Sequence, residues 1–178
     1  MRHIPNILSF SRILLIPPIV YFLLQSNLVA AAVLIIISGL TDLLDGFLAR
    51  RFNWISQLGK VLDPIADKLT QAAVCVTLFI IMREYWPFFG ALLFKDFVML
   101  VLGGYLIGKG VKIEGAKWFG KVVTCLFYIS ITTILIFPNI PGWIKTTLLA
   151  LTTVCALIAA LLYIPEFIKY KNSSDTNS

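Results

Sequence analysis

The chain has 178 residues, 59% of them apolar and only 13% charged, and its mean hydropathy is +0.91. A soluble domain carries about 25% charged residues, so this composition excludes an ordinary soluble globule and points to an all-α, polytopic membrane protein. The net charge of +6 does not indicate a nucleic-acid partner, because its cations gather at the ends of apolar runs instead of forming one basic patch.

Six spans are predicted, at roughly 7–25, 28–50, 60–82, 88–108, 119–138 and 143–165, in one bundle that forms a single domain over residues 1–171. Residues 1–6 are a short polar start at the headgroup boundary. Pro17-Pro18 should bend the first span, leaving carbonyls for neighbouring helices to satisfy. Ser26-Asn27 is a tight turn, and residues 51–59 turn the chain between the second and third spans, with Trp54 as an interface anchor. Arg83 to Pro87 closes the third span with aromatic residues. In the fourth, Gly103, Gly104 and Gly108 allow either close helix packing or local backbone freedom. Lys109 to Lys117 is a basic loop, Pro138 to Gly142 the last turn, and residues 172–178 a disordered tail. With the N-terminus in the cytoplasm, ten Lys/Arg fall on inside segments and only Arg83 and Lys145 outside. This positive-inside bias places both termini in the cytoplasm.

Four carboxylates interrupt this apolar pattern: Asp42 and Asp45 in the second span, Asp63 and Asp67 in the third. At a bilayer centre each would cost roughly 2.5–3.5 kcal/mol. The spacings are i, i+3 and i, i+4, so each pair shares a helix face. A turn near Trp54 makes the helices antiparallel and, at about 1.5 Å per residue, brings all four into one thin layer.

Gly46 and Ala49 lie on the same face as Asp42 and Asp45 and remove side-chain bulk, so that an extended group can reach the backbone. Arg50, one turn nearer the cytoplasm, offers a planar fork suited to phosphate. Oxygen-only donors favour Mg²⁺ or Mn²⁺, with Ca²⁺ as a further option, over zinc. Two such ions would neutralise four carboxylates and clamp a phosphoryl group. The set reads as a metal–diphosphate site open to the cytoplasm.

Two other readings compete. Structural ion pairs with Arg50, Arg51, Lys60 and Lys68 would be overloaded by four carboxylates in one layer. A cation or proton transporter would ordinarily show a second, related half with broken helices, and none is found.

The string Asp42-x2-Asp45-Gly46-x2-Ala49-Arg50-x8-Gly59-x3-Asp63-x3-Asp67 resembles, at every fixed position, the signature of the CDP-alcohol phosphatidyltransferase family. Eight fixed residues over 26 positions make a specific match. The likeness extends along the chain and includes an N-terminal segment, Pro5-Asn6-x2-Ser9-x2-Arg12-x4-Pro17, similar to that of phosphatidylglycerophosphate synthases.

The resemblance implies a six-helix integral membrane enzyme, usually a homodimer, of the bacterial cytoplasmic membrane, with its active site facing the cytoplasm. Such enzymes transfer a phosphatidyl group from CDP-diacylglycerol to an alcohol and release CMP. It implies two metals on Asp42, Asp45, Asp63 and Asp67, with Asp67 also accepting the alcohol's proton. Asp42, Asp45, Gly46, Ala49, Arg50, Ser56 and Asn6 would border the donor.

The acceptor is less marked. Phosphatidylglycerophosphate synthases usually carry Ala-Arg-Glu and Gly-Lys-x-Lys-Thr where this chain has Phe94-Lys95-Asp96 and Gly120-Lys121-Val122-Val123-Thr124. Lys121 and Lys95 are the candidates to hold glycerol 3-phosphate. Lys95 has a second reading, as an intramembrane partner of Asp96. Cardiolipin synthases of the family resemble Thr41 to Phe47 and Lys95-Asp96 well, so phosphatidylglycerol is the alternative acceptor.

Overall fold

The computed structural model describes the backbone of residues 4–51, 57–108 and 118–175, and within these the side chains of residues 10–41, 65–102, 120 and 122–162. All regular structure among the described residues is helical: α1 (Ile4–Leu24), α2 (Leu28–Arg51), α3 (Gln57–Ile81), a 3₁₀ turn (Arg83–Tyr85), α4 (Trp86–Gly108), α5 (Trp118–Ile136) and α6 (Gly142–Asp175). These bounds fall within a few residues of the six expected spans, except that α6 continues through Asp175, into the segment expected to be a disordered tail. Once a helix is nucleated, each added residue gains a hydrogen bond for little further ordering.

Two stretches, Arg83–Leu102 and Gly142–Leu162, are long and apolar enough to cross a membrane, with mean hydropathies of 1.5 and 2.0. Shorter apolar helical stretches run over Phe10–Leu24, Leu28–Thr41 and Val122–Ile136. Large apolar side chains stand on the surface, among them Phe94 at 69% exposure, Leu100 at 70% and Trp143 at 70%. Threonine hydroxyls turn back onto their own helices: Thr41 donates to the Ile37 carbonyl at 2.7 Å, Thr70 to Ala66 at 2.9 Å and Thr77 to Ala73 at 2.8 Å. Such bonds satisfy polar groups without help from water.

The chain divides into two compact units, residues 1–86 with 131–140, and residues 87–130 with 141–178. In the first, α1 packs against both α2 and α3. Its helix is continuous through Pro17 and Pro18, although neither proline offers an N–H to the carbonyls of Ile13 and Leu14.

The turn that follows sets the direction of α2. Ser26 adopts φ 58°, the left-handed conformation that commonly ends a helix. The Ser26 and Asn27 N–H groups then return to the carbonyls of Leu23 and Phe22, at 3.0 and 2.9 Å. Asn27 also starts the next helix, its Oδ1 accepting from the Ala30 N–H at 3.3 Å. With only three residues between them, α1 and α2 must run antiparallel. Ile19, Leu23, Ala31, Ala32, Ile35, Val74 and Leu78 form the core of this unit. In the second unit Phe89, Leu92, Phe127 and Leu149 are buried, and Ser130 on α5 shares a hydrogen bond of 2.9 Å with Thr152 on α6.

Candidate functional site

The packed side of α2 is a stripe of Ala31, Ile35 and Ser38, each no more than 1% exposed. Its steps of four and three residues are the repeat of a helix face. Continued in the same steps, the stripe reaches Asp42, Asp45 and Ala49. The acidic residues therefore occupy register positions that belong to the packed side of the helix. In α3 the buried stripe is Leu78, Val74 and Gln71, which continues to Asp67 and then Asp63. Asp67 is half-buried and engages an interaction partner.

Chain geometry sets the depth of these residues. Six peptide links join Arg51 to Gln57 and reach at most about 23 Å, whereas 25 helical residues rise about 37 Å. The start of α3 must therefore stay near the end of α2. Asp45 lies six residues before Arg51 and Asp63 six after Gln57, both about 9 Å from that end. Asp42 lies nine before and Asp67 ten after, about 14–15 Å from it. Counted from these helix ends, the four form two tiers about one helical turn apart.

Asn6 lies in the first turn of α1, Gly46, Ala49 and Arg50 in the last turns of α2, and Lys121 in the first turn of α5. Their side chains, with those of Asp42, Asp45 and Asp63, lie outside the described set, and Ser56 lies outside the described residues altogether. No group of three potential metal ligands comes together among the described residues. The donor set itself is four carboxylates at matching depths on two helices, and its chemistry fits a hard divalent ion.

Two basic residues of the sequence reading have described partners. Lys68 donates from Nζ to Gln71 Oε1 at 3.0 Å. Lys95 Nζ lies 2.7 Å from Asp96 Oδ1, the two side chains 10% and 15% exposed, so this lysine is engaged with its neighbour. Val123, two residues beyond Lys121, is buried at 7% exposure.

The structure also shows polar residues that the motif does not include. Arg12, Ser38, Thr70 and Gln71 are each 1% exposed. Ser38 and Gln71 are i−4 from Asp42 and i+4 from Asp67, so helical periodicity carries the signal that places them beside the acidic residues.

Comparisons with known proteins place the whole chain. A family model described as CDP-alcohol phosphatidyltransferase matches residues 2–163. The CDP-diacylglycerol–glycerol-3-phosphate 3-phosphatidyltransferase of Aquifex aeolicus (strain VF5) is 31% identical over 169 residues, covering 94% of this chain and 93% of that protein. The protein of the same name from Escherichia coli (strain K12) is 31% identical over 162 residues, with 88% of each chain covered. A cardiolipin synthase (CMP-forming)/mitochondrial hydrolase fusion protein of Schizosaccharomyces pombe is 37% identical over 113 residues, which are 64% of this chain and 17% of that protein. Among solved structures, a crystal structure of Mycobacterium tuberculosis phosphatidylinositol phosphate synthase with CDP-DAG bound aligns with a TM-score of 0.69. It covers 92% of this chain and 85% of that one at 18% identity, a likeness of fold alone.

Proposed function

Because the chain belongs to the CDP-alcohol phosphatidyltransferase family, we propose that it transfers a phosphatidyl group from CDP-diacylglycerol to glycerol 3-phosphate. The products are phosphatidylglycerophosphate and CMP. The observation that carries this reading is the complete family signature, whose four acids continue the packed stripes of α2 and α3 at matching depths. The names of the Aquifex and Escherichia relatives support glycerol 3-phosphate as acceptor. Phosphatidylglycerol is the second reading, favoured by the Schizosaccharomyces relative and by Val123 where a lysine is usual.

In the reaction the acceptor oxygen forms a bond to the phosphorus that carries diacylglycerol, and the bond from that phosphorus to the CMP oxygen breaks. Asp67 takes the hydroxyl proton, within reach in the site between α2 and α3. Arg50 pairs with the phosphate of the departing CMP. Gly46 and Ala49 leave room for the donor against α2, and Asn6 and Ser56 border its nucleotide. Lys121 holds the acceptor phosphate, while Lys95 stays paired with Asp96. Mg²⁺ or Mn²⁺ ions held by Asp42, Asp45, Asp63 and Asp67 would supply charge neutralisation for the diphosphate. The chain's own part is chiefly orientation and fixed charge.

The protein acts as one transmembrane domain over residues 1–171, a six-span bundle with both termini and the site on the cytoplasmic side, working as a homodimer in a bacterial cytoplasmic membrane. The apolar helices and the ten-to-two distribution of Lys/Arg support this placement. The test is an acceptor panel. Purified protein with CDP-diacylglycerol is offered glycerol 3-phosphate, phosphatidylglycerol, inositol phosphate and serine, and CMP release is measured for each. Release only with phosphatidylglycerol would replace the first acceptor by the second.

A further inference from the structure

Arg12 is 1% exposed and heads the fully buried side chains by size. It shares a face of α1 with Ile19 and Leu23, seven and eleven residues on, both 0% exposed. A guanidinium is almost never buried without an anion beside it, because removing its charge from water is costly unless it is paired. Among the described residues α1 packs chiefly against α2 and α3, and α1 contains no acid of its own. Within α1 to α3 the anions are Asp42, Asp45, Asp63 and Asp67.

Depth narrows the choice. Counted from the tight turn, Arg12 is twelve residues before Leu24 and Asp42 fourteen after Leu28, a difference of about 3 Å along the axis. Asp67 lies as far from the start of α3 as Asp42 lies from the end of α2, to within about 2 Å. Arg12 is thus level with the inner tier of the acidic residues. Asp67 is half-buried on the packed stripe of α3, and both it and Arg12 engage interaction partners.

On the side of Arg12 away from Asp45 and Asp63 lie Ser38 and Gln71, thirteen residues before Arg51 and fourteen after Gln57. The Ser38 Oγ has no hydrogen-bond partner among the described residues. Gln71 Oε1 already accepts from Lys68. A planar fork of five N–H donors on α1 thus stands at a depth between the register positions of Asp42 and Ser38.

We propose that Arg12 is a positioning residue: it is the fixed counter-cation of the acidic tier and holds the Asp67 carboxylate from α1. Its functional consequence rests on the reading of Asp67 as proton acceptor. By fixing one carboxylate oxygen, Arg12 leaves the other aimed at the acceptor hydroxyl, and it offsets one of the four negative charges of α2 and α3.

The test begins with the full chain in detergent, free of metal and substrate. Thermal unfolding is measured for the wild type, Arg12→Met, Asp67→Asn and the double variant. Each single change leaves a buried charge without its partner and should lower Tm by on the order of 10 °C. The double variant should lose much less than the sum of the two. Additive losses would overturn the pair. Arg12→Lys, which keeps the charge but not the fork, then tests the positioning role. Its kcat should fall tenfold or more with KM for both substrates within about threefold, as expected when only the transition state is affected. An unchanged kcat would overturn that role even if the pair is real. Since the unfolding cycle needs no turnover, it decides the pair even if the acceptor panel shows no reaction.

Discussion

Lys95 and Asp96 are neighbours in α4, 2.7 Å apart at their charged atoms and mostly buried; their charges cancel where they stand. In α2 and α3, by contrast, four carboxylates occupy two adjacent levels with no matching set of cations in the same motif. Both arrangements put ionised groups among apolar helices. A cancelled pair asks nothing of a ligand and fits a structural part of the second unit. A cluster of one sign stays costly until cations arrive, and that cost is tolerable where cations and a charged substrate are the purpose of the site. Like sign at matching depth, more than the number of charges, separates a site from a strut.

The largest effect should come from the acidic cluster. Asp67→Asn keeps the size and one oxygen but cannot accept a proton, so CMP release should fall by at least about 10²–10⁴-fold, while CDP-diacylglycerol binding stays largely intact. Near-normal kcat in this variant would move the base to another group. A smaller effect belongs to the acceptor side. Lys121→Ala removes a charge-assisted contact to a phosphate dianion and should lower kcat/KM for glycerol 3-phosphate by about tenfold to a hundredfold. Its KM for CDP-diacylglycerol should change little; equal effects on both substrates would place Lys121 outside the acceptor pocket.

The smallest effect tests the other half of the comparison. Lys95→Met with Asp96→Asn removes both charges together and should leave KM for glycerol 3-phosphate within about twofold, whereas either change alone should lower Tm markedly by leaving one buried charge unpaired. A tenfold rise in KM for the double variant would make Lys95 part of the acceptor pocket, and the pair would then be a resting state of that pocket.

Much of this was legible in the sequence because strong local signals coincide. Apolar runs of membrane length gave α2 as 28–50 against Leu28–Arg51, and Ser26-Asn27 gave the tight turn, which the structure closes with a left-handed Ser26. The acids were legible because i, i+3 and i, i+4 spacing fixes a helix face whatever surrounds it. What the sequence hid is which way a residue on α1 faces. Arg12 sits in an apolar run as Ile13 and Leu14 do, and with prolines nearby no sharp polar stripe distinguishes its side of the helix. Only packing of α1 against α2 and α3 shows that it is buried. Ser38 was hidden for a similar reason, since serine is common in membrane helices and its depth gains meaning only beside Asp42. The division into two units was also unreadable, because residues 131–140 join a unit far from them in sequence.

The central claim is that the carboxylate cluster is a cation-dependent transfer site. The direct measurement is CMP release from CDP-diacylglycerol with glycerol 3-phosphate after exhaustive chelation, followed by titration with Mg²⁺ and Mn²⁺. No release is expected in chelator, with recovery as either ion is added and with Asp42→Asn requiring more ion than the wild type. Release that continues undiminished in chelator would contradict that claim.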